Sequence, residues 1–138
     1  TPNVADITET AVAAERAGAD AVCIANTFTG MAIDINKRSS KLGNLTGGLS
    51  GPAIHPIIVR MIWQAYKILQ IPILGCGGIN SAEDAVELML AGAAAVAIGS
   101  GMFANPKLPE QVVEGIERYL NNQKLTFAKI IGKVNIMN

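Results

Sequence analysis

The sequence predicts an α/β domain in which helices alternate with short parallel strands. Three short apolar runs, at residues 21–25, 73–74 and 95–98, each follow a segment whose hydrophobic residues recur at helical spacing. Such an alternation is typical of a parallel sheet covered by helices. Half of the 138 residues are hydrophobic but only 4% are aromatic, which favours close packing of small side chains over a β-sandwich.

Charge and composition exclude several classes of function. Eleven Lys and Arg residues balance eleven Asp and Glu residues, so we predict no nucleic-acid partner. The most apolar stretch, residues 88–98, is interrupted by Gly92 and is shorter than the roughly 18 residues of a membrane span, so we predict no membrane segment. Two distant cysteines and a single histidine indicate neither a disulfide framework nor a metal site, and a cytoplasmic location is expected.

The first helix and strand are predicted within residues 3–25. Asn3 precedes apolar residues at helical spacing, Asp6 is placed for a capping contact, and Gly18 is a natural stop. The apolar run that follows is typical of a strand buried on both faces, so we expect Cys23 to be a buried small side chain.

Residues 28–51 interrupt the alternation and are interpreted as a functional loop excursion. We predict two short extended pieces, at residues 32–35 and 42–46, around a polar turn at residues 36–40. A glycine turn is predicted at residues 47–51. The basic residues of the excursion are either solvated surface or a docking site for a partner; these are Lys37, Arg38 and Lys41.

The second half of the chain returns to the alternation. Helices are predicted at residues 53–69, from Asn80 or Ser81 to Gly92, and at residues 109–120, with the tail at residues 121–138 either a short helix or an extended segment. The predicted buried face of the first of these helices comprises Ile54, Ile57, Ile58, Met61, Ile62, Ala65, Ile68 and Leu69. His55, at the start of the same helix, is expected on the surface or in a cap.

Glycine turns follow two consecutive strands and predict a phosphate site. Gly77 and Gly78 follow one strand, and Gly99 and Ser100 follow the next, so backbone N–H groups from both turns could converge on one phosphate. The alternative is that these glycines only supply tight turns.

Asn26 and Thr27, at the end of the first strand, could bind a planar polar ligand or could simply form a turn. No convincing general base is found in the sequence, because Cys76 has no basic neighbour along the chain.

Together these motifs resemble the C-terminal portion of the class 1 dihydroorotate dehydrogenases. The resemblance covers residues 1 to about 121, and the GGLSGPAI stretch at residues 47–54 is similar to the class 1B branch. The implied fold is the C-terminal part of a (β/α)₈ TIM barrel, with about three parallel strands, their surrounding helices, and the N-terminal part absent. The chain starts at Thr1 and is shorter than a complete barrel, so we expect it to be a single C-terminal fragment spanning residues 1–138.

The resemblance also implies an activity and a set of site residues. Members of this family oxidise dihydroorotate to orotate in de novo pyrimidine biosynthesis and carry FMN. By this resemblance Asn26 and Thr27 would bind the substrate. The implied cofactor-binding residues, the last four of them around the phosphate, are Ala25, Gly51, Gly77, Gly78, Gly99 and Ser100. At position 25 the family usually has a larger aliphatic residue.

The family's catalytic cysteine and its flavin-contacting lysine would both precede Thr1, so no catalytic residue and no metal ligand is assigned, and we expect the fragment alone to be inactive. The implied partners are further copies of the chain and an iron-sulfur flavoprotein subunit that passes electrons to NAD. Two alternatives stay open: a non-catalytic half-barrel that associates with another chain, and a non-flavin, phosphate-binding barrel of biosynthetic type. Asn26 and Thr27 beside the GGLSG stretch argue against the latter.

Overall fold

The computed structural model describes residues 1–135, in which helices and strands alternate along the chain. The helices are α1 (Ile7–Arg16), α2 (His55–Tyr66), α3 (Ala82–Ala91), α4 (Gly101–Ala104) and α5 (Leu108–Gln123), with 3₁₀ turns at Pro52–Ile54 and Phe127–Lys129. The strands are β1 (Val22–Ile24), β2 (Phe28–Gly30), β3 (Ile33–Asp34), β4 (Ser39–Ser40), β5 (Gly47–Leu49), β6 (Ile73–Cys76) and β7 (Ala95–Ala97). This order confirms the predicted α/β class.

A three-stranded parallel sheet forms the centre of the structure, in the order β1, β6, β7. Ile24 pairs with Gly75, and Gly75 pairs in turn with Val96. All three strands point the same way, so their carboxyl ends meet at one edge of the sheet. The three strands predicted from the apolar runs are therefore neighbours in space.

Helices cover one face of this sheet at close range. Ile73 and Gly75 of β6 are buried on that face, where Ile62 of α2 and Leu88 of α3 are also fully buried. A Cβ atom added to Gly75 would lie 3.0 Å from the side chains of Ala93 and Ile62. Glycine at this position therefore allows α2 and α3 to pack against the strand.

The opposite face of the sheet is only partly covered, which corrects the expectation that β1 is buried on both faces. Cys23 is exposed rather than buried, and Leu74 and Cys76 are only half-buried. Because side chains alternate along a strand, these residues lie on the face away from α2 and α3. In a closed barrel this is the face that points into the interior.

Helix α1 begins later than predicted, because Asp6 and not Asn3 forms its N-cap. The carboxylate of Asp6 accepts hydrogen bonds from the side chain of Thr8 at 2.7 Å and from its N–H at 2.8 Å. These hydrogen bonds hold the pKa of Asp6 below its usual value. Asn3 is instead bonded to the chain after β1: its Oδ1 accepts from the N–H of Thr29, and its Nδ2 donates to the carbonyl of Thr27.

Two residues predicted on the buried face of the second helix are exposed. Ile57 lies on α2 but is 38% exposed, because adjacent helical residues point about 100° apart and Ile58 occupies the buried face. Ile68 is 43% exposed because α2 ends at Tyr66, before residue 68. The remaining predicted positions on this face are buried.

The excursion is made of two small antiparallel ladders, which corrects its predicted layout. The outer ladder pairs β2 with β5, so Gly47–Leu49 is a strand and not part of a glycine turn. The inner ladder pairs β3 with β4, so Ser39–Ser40 is a strand although it was predicted as turn. Residues 42–46 form bends and not an extended piece. The chain folds back on itself here, a pairing that local patterns do not specify.

The beginning of the tail continues α5, and the following residues pack back onto α3. Ile130 is buried, and the N–H of Gly132 donates to the carbonyl of Met89 at 3.0 Å. The last three residues of the predicted tail, 136–138, lie outside the described residues. Among residues 1–135, no helix has both the length and the apolar character needed to cross a bilayer.

The buried face of α2 should contribute strongly to the stability of the domain. Ile62→Ala, at a fully buried position, is expected to lower the free energy of unfolding by about 2–5 kcal/mol, because it removes buried methyl groups and leaves a cavity. The matched control Ile57→Ala, on the same helix, is expected to cost about 1 kcal/mol or less. Urea denaturation of both variants measures the difference, and equal losses would contradict the assigned buried face.

Candidate functional site

A cavity of about 190 Å³ lies at the carboxyl ends of β1, β6 and β7. It is lined by Ala25, Asn26, Thr27, Ser50, Ile54, Cys76, Gly77, Gly78, Ile79, Ala97, Gly99, Ser100 and Gly101. Every site residue predicted from the sequence lines the cavity, with the exception of Gly51. Its neighbour Ser50 lines the cavity instead. The residues that sequence reasoning missed are mostly small or apolar and carry no distinctive pattern.

Asn26 and Thr27 follow β1 into the cavity, and Thr27 is held by contacts from distant parts of the chain. The side-chain Oδ1 of Asn26 accepts from the N–H of Thr27 at 2.7 Å, and Asn3 holds the carbonyl of Thr27. A Cβ atom on Gly48 of β5 would overlap the side chain of Thr27, so glycine is required where β5 passes it. The excursion therefore fixes the position of Thr27 on the wall of the cavity.

The turn after β6 requires glycine at two successive positions. Gly77 and Gly78 have φ angles of 147° and 73°, which L side chains rarely adopt. An added Cβ atom would lie 2.7 Å from Cγ1 of Ile58 at the first position and 2.6 Å from Cβ of His55 at the second. The tight-turn explanation for these glycines is therefore correct in part, since the turn packs directly on the start of α2.

The same turn and the turn after β7 also present backbone donors at the cavity. Within residues 1–135, the N–H groups of Gly78, Gly99 and Ser100 have no hydrogen-bond partner. No atom would lie within 4 Å of a Cβ atom added to Gly99, so the space beside this residue is open. Unpaired N–H groups on two adjacent turns are suited to an anion such as a phosphate.

His55 is buried beneath the first of these turns, which corrects its expected surface position. Its side chain is within hydrogen-bond distance of two groups: Nδ1 lies 3.0 Å from the carbonyl oxygen of Gly77, and Nε2 lies 3.2 Å from Oε2 of Glu87. The histidine itself is only 6% exposed. Its partners are 22 and 32 residues away in sequence, so local spacing carries no signal of this contact.

Among residues 1–135, those that line the cavity carry no charged side chain, and the thiol of Cys76 is poorly suited to act as a base. Burial raises the pKa of the Cys76 thiol, and the nearby Cys23 raises it further, so Cys76 is protonated at neutral pH. All other lining residues are uncharged or have no ionisable side chain. In the part of the chain that the structure describes, no group of three or more His, Cys, Asp or Glu residues is placed to hold a metal ion.

The fold and site together define a class of protein. Parallel strands alternate with helices, and a cavity at the carboxyl ends of the strands is flanked by glycine turns after two consecutive strands. This arrangement is typical of the phosphate-binding side of a (β/α)₈ barrel, and we assign the chain to that class.

A sequence model of the dihydroorotate dehydrogenase family matches residues 1–120. The chain belongs to this family, which confirms the resemblance seen in the motifs.

Curated relatives support the same assignment. The catalytic subunit of dihydroorotate dehydrogenase B (NAD(+)) from Trichlorobacter lovleyi is 53% identical over 119 residues, covering 86% of this chain and 39% of the relative. The same subunit from Porphyromonas gingivalis is 52% identical, covering 98% of this chain and 44% of the relative. That from Caldicellulosiruptor bescii is 51% identical, covering 99% of this chain and 46% of the relative. The chain thus spans less than half the length of these relatives.

A solved structure confirms the barrel architecture. DHODH from Eimeria tenella, in complex with ferulenol, superposes with a TM-score of 0.78 at 27% sequence identity. The match covers 96% of this chain and 36% of that protein. The described strands and helices therefore correspond to a part of a TIM barrel.

The two cavity glycines Gly78 and Gly99 should respond differently to the same substitution. Gly78→Ala is expected to lower the free energy of unfolding by about 2 kcal/mol or more, for two reasons: the new methyl group would collide with His55, and residue 78 has a positive φ that alanine rarely adopts. Gly99→Ala should change it by about 0.5 kcal/mol or less, since the space there is open. Thermal or urea unfolding compares the two, and a large loss for Gly99→Ala would show that the turn after β7 is packed differently.

Proposed function

We propose that this chain is part of a dihydroorotate dehydrogenase that oxidises dihydroorotate to orotate in de novo pyrimidine biosynthesis. One observation carries the proposal: a single cavity joins two polar residues after β1 to the glycine turns after β6 and β7. The names of the curated relatives, each the catalytic subunit of a dihydroorotate dehydrogenase B, support it.

The glycine turns fit the phosphate of FMN. Gly77, Gly78, Gly99 and Ser100 would surround the phosphate, and the unpaired N–H groups and the open space beside Gly99 support this placement. Ala25 and Gly51 would contact the flavin elsewhere. The small side chain of Ala25, which is buried beside the cavity, would leave more room there than a larger aliphatic residue. FMN, when bound, accepts the hydride that the substrate loses.

Asn26 and Thr27 would bind the substrate. Both side chains are exposed at the mouth of the cavity, and each carries groups that can donate to or accept from the polar edge of a pyrimidine ring. The hydrogen bond from the N–H of Thr27 to Oδ1 of Asn26 occupies that oxygen and leaves the Asn26 NH₂ group to donate to a carboxylate. These residues orient the substrate and do not abstract a proton.

The proton acceptor would come from a part of the enzyme outside this chain. The cavity is lined by uncharged residues, and the raised pKa of Cys76 disfavours the thiolate that a cysteine base requires. We therefore assign no catalytic residue here, and the flavin-contacting lysine would also lie elsewhere.

The proposed partners follow from the type of enzyme. The curated relatives are each named as the catalytic subunit of an NAD(+) enzyme, which supports a separate subunit for electron transfer. We propose that this subunit is an iron-sulfur flavoprotein, that the catalytic chain forms homo-oligomers, and that the enzyme acts in the cytoplasm.

The visible absorption spectrum of the whole enzyme tests the proposal. The purified full-length protein should show a flavin band that bleaches when dihydroorotate is added anaerobically, because hydride transfer reduces the flavin. A protein without flavin that binds a sugar phosphate would instead support the non-flavin biosynthetic barrel.

Substrate binding by Asn26 can be tested separately. Asn26→Ala should raise the KM for dihydroorotate about tenfold or more while the flavin band persists, since one hydrogen bond to a charged group is lost. The matched control Asn121→Ala, on the exposed end of α5, should leave KM unchanged. A normal KM in Asn26→Ala would remove this residue from the proposed site.

The isolated 138-residue chain should have no dihydroorotate oxidation activity, because the proposed base is absent. The half-open face of the sheet, with Cys23 exposed, favours a second candidate in which the chain only associates with another chain to complete a barrel. Light scattering tests the second candidate, which predicts a folded assembly of more than one chain. The activity assay tests the assignment of the base, which turnover by the chain alone would contradict.

A further inference from the structure

We propose that His55 is a positioning residue that directs the N–H of Gly78 into the cavity, where it binds phosphate. This inference rests on the proposed function, since it names the residue that prepares the phosphate-binding turn. His55 does not line the cavity, whereas Gly77 and Gly78 do. The histidine therefore acts on the ligand through the backbone and not by direct contact.

The orientation of one peptide group carries the argument. A carbonyl oxygen only accepts hydrogen bonds, so Nδ1 of His55 must donate to the carbonyl of Gly77 at 3.0 Å. The peptide bond between Gly77 and Gly78 is trans, so its C=O and N–H point in opposite directions. When the carbonyl points down to His55, the N–H of Gly78 must point away from the histidine. Within residues 1–135 this N–H has no partner of its own.

The imidazole ring is held firmly enough to fix that peptide. Nε2 lies 3.2 Å from Oε2 of Glu87, on α3. A carboxylate oxygen only accepts hydrogen bonds, so Nε2 donates to Glu87 as Nδ1 donates to Gly77, and the ring bridges the turn and a second helix. The backbone of His55 is packed against Gly78, where an added Cβ atom would lie 2.9 Å from its N and Cα atoms. The ring and the turn therefore have little freedom to move relative to each other.

The far end of the same turn is fixed by hydrogen bonds of its own. Oδ2 of Asp84 accepts hydrogen bonds from the N–H groups of Asn80 and Ser81, at 2.8 Å and 2.9 Å. The Ser81 hydroxyl accepts from the N–H of Asp84 in return, which completes a capping box at the start of α3. Loss of the His55 contact should therefore release the Gly77–Gly78 peptide without unfolding the whole turn.

The difference between FMN and riboflavin provides a specific test, because riboflavin lacks the phosphate. Apo forms of the full-length protein are titrated with each ligand. In His55→Leu, which removes the donor to Gly77, the Kd for FMN should rise about tenfold or more, the effect of losing one hydrogen bond to a charged group. The Kd for riboflavin should stay within about twofold of wild type, since no phosphate contact is involved.

The variant His55→Asn provides the rescue. Its side-chain NH₂ can occupy the position of Nδ1 and donate to the carbonyl of Gly77, so FMN affinity should return close to wild type. If His55 acts by packing alone, His55→Leu should weaken the binding of FMN and of riboflavin equally, and the smaller side chain of His55→Asn should not restore it. That result would overturn the proposal.

A second variant covers the case in which His55→Leu does not fold. The side chain of Glu87 is 59% exposed, so Glu87→Ala should fold while removing the contact that holds the ring. We expect FMN affinity to fall about threefold, with riboflavin affinity unchanged. Unchanged FMN affinity in Glu87→Ala, with His55→Leu unfolded, would overturn the proposal. If wild-type protein binds neither ligand, the proposed function itself has failed, which is a distinct result.

Discussion

The close approach of the turn after β6 to the start of α2 is the constraint on which the rest of the structure depends. Gly75, Gly77 and Gly78 lie within four residues of each other, and a Cβ atom at any of them would meet Ile62, Ile58 or His55 of α2. Without side chains at these positions, α2 packs directly on strand and turn. The positions of α2 and α3 relative to the sheet, and hence of the buried core, follow from this contact.

Because of this contact, the packing of the core and the shape of the cavity depend on the same turn. The side of the turn that faces α2 packs on Ile58 and His55, while the residues of the turn line the cavity. A substitution that relieves or tightens packing below the turn is therefore expected to change the direction of the backbone N–H groups above it. The geometry that packs the turn also exposes its backbone donors, so the tight-turn role of these glycines is compatible with the proposed phosphate-binding role.

Features set by local chemistry could be predicted from the sequence, and features set by distant contacts could not. The start of α3 at Ser81, one of the two predicted cap residues, and the three apolar strands depend on neighbouring residues, and they lie close to their predicted positions. By contrast, His55 is buried by a turn and a carboxylate more than 20 residues away. The pairing of β2 with β5 likewise depends on how the excursion folds back.

The exposure of Cys23 has a different cause. Its apolar sequence context indicates burial on both faces, and the structure buries only one, because the helices described within residues 1–135 cover a single side of the sheet. The cavity residues Asn26 and Thr27 were identified because polar residues at the end of an apolar strand are distinctive. Gly51 was grouped with them by motif, yet the wall is formed by the neighbouring Ser50.

The uncharged lining of the cavity is consistent with a proposed enzyme in which this segment binds the ligands and another segment transfers the proton. Phosphate and a carboxylated substrate are both anionic, and backbone N–H groups can stabilise an anion without a counter-charge that would itself have to be desolvated. Neutral amide and hydroxyl groups of Asn26 and Thr27 provide donors of the same kind. A cysteine acting as a base in this cavity would need a lowered pKa to form its thiolate, and the surroundings of Cys76 have the opposite effect. This part of the barrel is therefore suited to hold and orient ligands, whereas proton transfer in the proposed enzyme would require a residue from another segment.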